Sequence, residues 1–126
     1  MIIERADLYQ ALPFLEMAEQ FDTTGGTCTA ADLCAQADSF MGLIEGRPVM
    51  AYALAHRGPV AWVMAAGGLP VPGLDMTRAI VERATAQARE AGARQIAITT
   101  ARPGMVRKLQ RLGLSVTGTT LRKAIT

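Results

Sequence analysis

FMGLIEGRPVMAYALAHRGPVAWVMAA, residues 40–66, contains three apolar runs: Phe40 to Glu45, Val49 to Ala55 and Val60 to Ala66. Glu45-Gly46-Arg47-Pro48 and His56-Arg57-Gly58-Pro59 separate them. Both connections are short and hold glycine and proline, so they read as hairpin turns. Three consecutive strands with tight turns form an antiparallel meander. Their strong apolarity predicts a sheet covered on both faces.

Upstream, Ile2 to Ala6 reads as a short strand and Asp7 as a helix N-cap, its carboxylate able to accept an orphan backbone N–H. Leu8, Leu12, Leu15, Ala18 and Phe21 recur at helical spacing and give one apolar face. Pro13 removes a donor within this stretch, so the helix is expected to kink there or to start near Leu12. Residues 22–27 form a loop, and Thr29 can cap a short helix from Ala30 to Ala37.

Downstream, Leu74 to Ala91 is the longest helix candidate, with Ile80, Val81, Ala84 and Ala88 on one face and Gly92 as its stop. Gln95 to Thr100 is a strand. Pro103 suits a first helical turn, Val106, Leu109 and Leu112 make the apolar stripe, and Gly113 closes that helix. Ser115 to Ile125 is expected as a final strand. The order is β-α-α-β-β-β-α-β-α-β, an α/β (α+β) arrangement with a mixed, mostly antiparallel sheet and helices on both faces.

A chain of 126 residues with 50% hydrophobic and 19% charged side chains suits one globular domain, taken as residues 1–126. No apolar run reaches the ~18 residues that span a bilayer, and Met1-Ile2-Ile3-Glu4-Arg5 has no signal-peptide character. A cytoplasmic protein with no membrane partner is expected. Cys28 and Cys34, the only cysteines, form no zinc-binding pattern with the single histidine, His56, so no metal is expected. The charge is uneven. Residues 1–100 carry seven basic and eleven acidic side chains, whereas residues 101–126 carry six basic and none acidic. That basic end lacks interleaved aromatics, so stacking on single-stranded nucleic acid is not expected.

The order of elements resembles that of the GNAT (Gcn5-related) N-acyltransferases over nearly the whole chain. Ala61-Trp62-Val63-Met64-Ala65-Ala66, followed by a loop and the long helix, looks like that family's fourth strand and third helix. Arg107-Lys108-Leu109-Gln110-Arg111-Leu112-Gly113-Leu114 is similar to its last helix. The resemblance implies acetyl-CoA, or another acyl-CoA, in a cleft between the fourth and fifth strands. Its pantetheine arm would lie on Met64, Ala65 and Ala66. Its pyrophosphate would lie on the loop and helix start, at Gly73, Leu74, Met76, Thr77 and Arg78. Free N–H groups and the helix dipole attract an anion there.

The family's loop pattern, Gln/Arg-x-x-Gly-x-Gly/Ala, falls on Pro72, Asp75 and Thr77, so no motif position is kept. Asp75 would set a carboxylate beside the pyrophosphate, although Asp is also among the best N-caps. The family's proton-donating tyrosine corresponds to Leu109, which cannot donate. Tyr52 and His56 are the remaining candidates for proton transfer. The resemblance thus implies an acyl-CoA-dependent N-acyltransferase, weak or degenerate, acting on a small amine or a protein amine. The alternative is a non-catalytic GNAT-fold structural or interaction protein, like those of tailed-phage particles, with a homo-oligomer or protein partner.

Overall fold

The meander is set by two turns that force positive φ. In the computed structural model, which describes residues 1–125, Glu45 and Gly46 lie at φ 51 and 76. Positive φ at both central residues is the signature of the type I′ hairpin. Gly58, at φ 59, precedes Pro59 in the next turn. These turns join β2 (Asp38–Ile44), β3 (Arg47–Arg57) and β4 (Val60–Gly68). With β1 (Ile2–Ala6) and β5 (Gln95–Ile98) they make a five-stranded sheet in the order β1-β2-β3-β4-β5. All pairings are antiparallel except β4 with β5, which is parallel.

Helices cover both faces, as the unbroken burial of Met50 to Ala55 on β3 requires. On one face α1 (Leu8–Leu15) and α2 (Ala30–Cys34) pack through Ala11, Leu15, Ala30 and Cys34 onto Met41, Ala51, Ala53 and Ala65. On the other, α3 (Met76–Glu90) sets Ile80, Ala84 and Ala88 against Met50, Tyr52, Leu54 and Val63. Small alanines at both contacts let the helices approach the strands closely. Leu→Ala at a buried position such as Leu15 typically costs about 2–5 kcal/mol.

The helix ends follow local chemistry. Asp7 caps α1 in a capping box: its Oδ1 accepts from Gln10 N at 2.8 Å, and the Gln10 side chain accepts from Asp7 N. The helix therefore starts at Leu8, not near Leu12. It carries Pro13, ends two residues beyond it at Leu15, and gives way to a 3₁₀ segment, Glu16–Phe21. Gly92 and Gly113 end α3 and α4 (Pro103–Arg111) in Schellman motifs. Ala93 N donates to Ala88 O at 2.9 Å and Leu114 N to Leu109 O at 3.1 Å.

The expected final strand, Ser115 to Ile125, is not formed. These residues lie outside helix and strand and make no pairing with β5. Their one described hydrogen-bond anchor is Arg122 Nε, which donates to Thr23 O at 2.8 Å. The β-branched residues that suggested a strand carry propensity alone, and a strand also needs a neighbour to bond.

Candidate functional site

β4 carries the site because its two sides differ. Against β3 it pairs from Val60 to Gly68. Against β5 it pairs only from Val60 to Val63, where Val63 lies opposite Ile98, and the strands then part. Trp62 sits opposite Ala97, one rung before the parting. The register with β3 slips at the same place: Leu54 faces Val63 but Ala53 faces Ala65, which leaves Met64 as an extra residue. This β-bulge bends the strand and resets its alternation. Ala61 and Val63 face α3, whereas Met64 and Ala65 together join the core under α1 and α2. Beyond Val63 the edge of β4 turned toward β5 has no strand partner among the described residues.

The parting opens a cleft of about 370 Å³. β4 from Val63 to Gly68, the end of β5 at Ile98, and the following Thr99 and Thr100 form its floor. The 3₁₀ segment, the first turns of α3, and Met105 and Leu109 of α4 form its walls. Gly67 and Gly68 line it and are closely packed on both faces. A Cβ on Gly67 would collide with the Phe14 carbonyl oxygen, and one on Gly68 with Met50 and the Met76 sulfur. Both helical layers therefore meet bare backbone at this end of β4.

Two carboxylates line the cleft, and both are engaged. Glu19 Oε1 accepts from Ala30 N at 2.7 Å, at the start of α2. Asp22 accepts from Thr24 Oγ1 at 2.6 Å, Thr24 N at 2.9 Å and Gly26 N at 2.6 Å. The Thr24 side chain first, then the backbone bonds, hold the Asp22 carboxyl below the usual carboxylate range. Arg102 spans the cleft, its guanidinium 4.0 Å from the Phe21 ring centroid.

Three solved structures share this architecture. A GNAT family acetyltransferase from Elizabethkingia anophelis with acetyl-CoA bound aligns with TM-score 0.76 at 10% identity, over 93% of this chain and 77% of that one. The ribosomal-protein-alanine N-acetyltransferase from Brucella melitensis biovar Abortus aligns with TM-score 0.71 at 17% identity, over 99% and 98%. The aminoglycoside 6′-N-acetyltransferase from Acinetobacter haemolyticus aligns with TM-score 0.67 at 14% identity, over 100% and 99%. The chain has the GNAT fold. Its sequence matches no protein-family model and no curated relative.

Within the GNAT fold the residues expected around acyl-CoA divide into two groups. Met64, Ala65, Ala66 and Thr77 line the cleft. Gly73, Leu74, Met76 and Arg78 do not. Gly73 makes the turn before α3 at φ 78, and Met76 packs against Gly68 and the α3-side core. The start of α3 is held by the chain's own anion. Asp75 is its N-cap, with Oδ1 accepting from Arg78 N at 3.1 Å, and it pairs with Lys108 Nζ at 3.4 Å and Arg78 Nε at 3.9 Å. The Arg78 N–H first, then Lys108, pull its carboxyl below the usual range. A pyrophosphate at this position meets a helix terminus already capped by a carboxylate, and both nearby cations are paired with it.

The two proton-transfer candidates lie elsewhere. Tyr52 is fully buried on the α3 face, stacked on Phe40, and its hydroxyl donates to Gln87 Oε1 at 2.5 Å. Burial pushes its pKa up to about 12. It does not line the cleft. His56 is exposed near the far end of β3, opposite Ala61, and does not line the cleft either. Leu109 does line it, buried, and carries no ionisable group. Sequence reading missed the bulge at Met64, because an extra residue in an apolar strand leaves no compositional mark. It also missed Phe21 and Arg102 as a pair across the cleft, because their separation of 81 positions carries no local pattern.

Proposed function

We propose that this chain binds an acyl-CoA thioester in the β4–β5 cleft and transfers the acyl group to an amine. The observation that carries the reading is the bulged, unpaired edge of β4. It offers main-chain hydrogen-bonding groups along an apolar slot, which suits an amide-bearing pantetheine arm. Solved structures of the same fold hold CoA or acetyl-CoA. In this reading Met64, Ala65 and Ala66 orient the arm and Thr77 lies toward the phosphates, whereas Gly73, Leu74, Met76 and Arg78, which the resemblance implied there, lie outside the cleft lining.

The chemistry is aminolysis: the amine nitrogen bonds to the thioester carbonyl carbon, the C–S bond breaks, and CoA leaves as the thiolate, which takes up a proton. Glu19 and Asp22 are engaged by backbone donors, and Tyr52 and His56 lie outside the cleft. The amine then has to arrive neutral and lose its proton to water. A missing general acid or base costs about 10²–10⁴ in rate, so slow turnover is expected. The rate should rise with pH up to the ionisation of the acceptor itself.

Calorimetric titration with acetyl-CoA at low salt tests the reading. A measurable dissociation constant, competed by free CoA, supports it and opens an amine screen. No heat at about millimolar ligand, corresponding to roughly 4 kcal/mol or less of binding, removes it. A second reading, a non-catalytic interaction protein that kept the scaffold, is favoured by the engagement of both cleft carboxylates, Glu19 and Asp22, in hydrogen bonds to the backbone. It predicts no acyl transfer to any amine even where CoA binds.

A further inference from the structure

The lining of the cleft divides by chemistry. Its charged groups are Glu19, Asp22 and Arg102; the two carboxylates are exposed and Arg102 is half-exposed. Its buried part is wholly apolar, made of Ala30, Val63, Ala65, Ile80, Val81 and Leu109, none of them more than 7% exposed. Ala30 and Ala65 belong to the core under α1 and α2, and Val63 and Ile80 to the core on the α3 face. The sheet separates these cores, and the cleft touches both because β4 and β5 part between them. Val81 of α3 and Leu109 of α4 are buried without joining either core.

Three of the seven methionines also line the cleft, each from a different element: Met17 from the 3₁₀ segment, Met64 from the bulge of β4 and Met105 from α4. Unbranched and polarizable, methionine adapts to apolar chains of varied length. Met17 and Phe21 remain 36% and 43% exposed on the cleft wall. An acetyl group ends in one methyl and covers little of such a surface. A straight alkyl chain covers more of it, with a gain for each methylene withdrawn from water. An amine acceptor suits this part poorly, since it is charged and hydrated in solution and the buried lining has no polar side chain to receive it.

We propose that the buried, apolar part of the cleft receives the alkyl chain of the acyl group, so that the protein prefers a medium-chain acyl-CoA to acetyl-CoA. This inference rests on the acyl-CoA reading above and names its acyl class.

Calorimetric titration of the full chain with free CoA and with acetyl-, butyryl- and hexanoyl-CoA reads the preference without turnover. Affinity is expected to rise about fourfold for each fully buried methylene, and on the order of a hundredfold from acetyl to hexanoyl. Met105→Asp puts a carboxylate on the apolar wall, in the first turn of α4 where an acid suits the helix. It is expected to cut the hexanoyl-to-acetyl affinity ratio by roughly tenfold. The ratio cancels any effect of the new charge on the CoA phosphates, which both ligands share. Equal affinity for acetyl- and hexanoyl-CoA overturns the proposal and leaves acyl-CoA binding standing. So does an unchanged ratio in folded Met105→Asp. A length dependence seen only with alkylamines added to the CoA-saturated protein also overturns it, and assigns the apolar part to the acceptor. If neither free CoA nor any thioester binds, the acyl-CoA reading itself falls, and this inference with it.

Discussion

Along one side β4 is paired with β3 from Val60 to Gly68, whereas along the other it is paired with β5 only from Val60 to Val63. The first side is antiparallel and buried, with Ala51, Tyr52 and Ala53 fully enclosed between the helical layers. The second is parallel and short, and it ends in a cleft. One strand thus serves as scaffold on one side and, in the proposed reading, as binding surface on the other, with the bulge at Met64 where the two pairings diverge. Stability should be concentrated on the β3 side and ligand recognition on the β5 side, and changes to each should separate.

The largest expected effect is on the scaffold side. Leu54→Ala, at a fully buried position between β4 and α3, should lower the unfolding free energy by about 3 kcal/mol in urea titrations. The folded variant should keep its ligand affinity. Equal losses in both would mean that the two sides of β4 are not separable.

Deleting Met64 attacks the other side. It removes the extra residue, and Ala53 can still face Ala65. The strand should straighten toward β5, and acetyl-CoA affinity should fall by at least roughly tenfold with far-ultraviolet dichroism retained. Undiminished binding would show that the ligand does not use the parted edge.

Asp75→Asn sharpens the comparison at the mouth of the cleft. Asparagine keeps the N-cap and removes the charge. Acetyl-CoA should then bind about tenfold more tightly at low salt, with the gain shrinking as salt is added. An unchanged affinity at every salt concentration would place the ligand's phosphates away from α3.

The last effect is alkaline and is confined to high pH. Burial raises Cys34 from 9.0 to about 11 and Tyr52 from 10.0 to about 12. Both groups lose a proton more readily when unfolded. Their neutral forms therefore stabilise the fold fully below pH 9, and that contribution is lost as pH rises from 9 toward 12. Thermal melts should soften through this window, and Cys34→Ala with Tyr52→Phe should flatten the dependence. Tyr52→Phe should itself cost about 1 kcal/mol at neutral pH through the loss of the Gln87 bond.

The meander was legible because its evidence is local: two glycine turns between apolar runs, each with a backbone requirement that only a few residues meet. The caps at Asp7, Thr29 and Asp75 were legible for the same reason, as was the order of elements that resembles the GNAT fold. The features that make the site were less so. The bulge at Met64 depends on registers with two other strands. Gly67 and Gly68 gain their meaning from Phe14 and Met76, which approach from opposite faces. The last eleven described residues have strand composition but no intrachain strand partner, so propensity alone overstated them. Asp75 was read both as a cap and as an obstacle to pyrophosphate. The hydrogen bond to Arg78 N makes it the cap, and acetyl-CoA titration tests the rest.

Trp62 gives the molecule a built-in optical probe. It is the only tryptophan in the chain, and it stands half-buried on β4 one rung before the strands part. Its emission wavelength and quenching follow the local water content at the hinge of the cleft. Entry of a ligand between β4 and β5, or closure of the gap when Met64 is deleted, becomes visible as a spectral shift in the unlabelled protein.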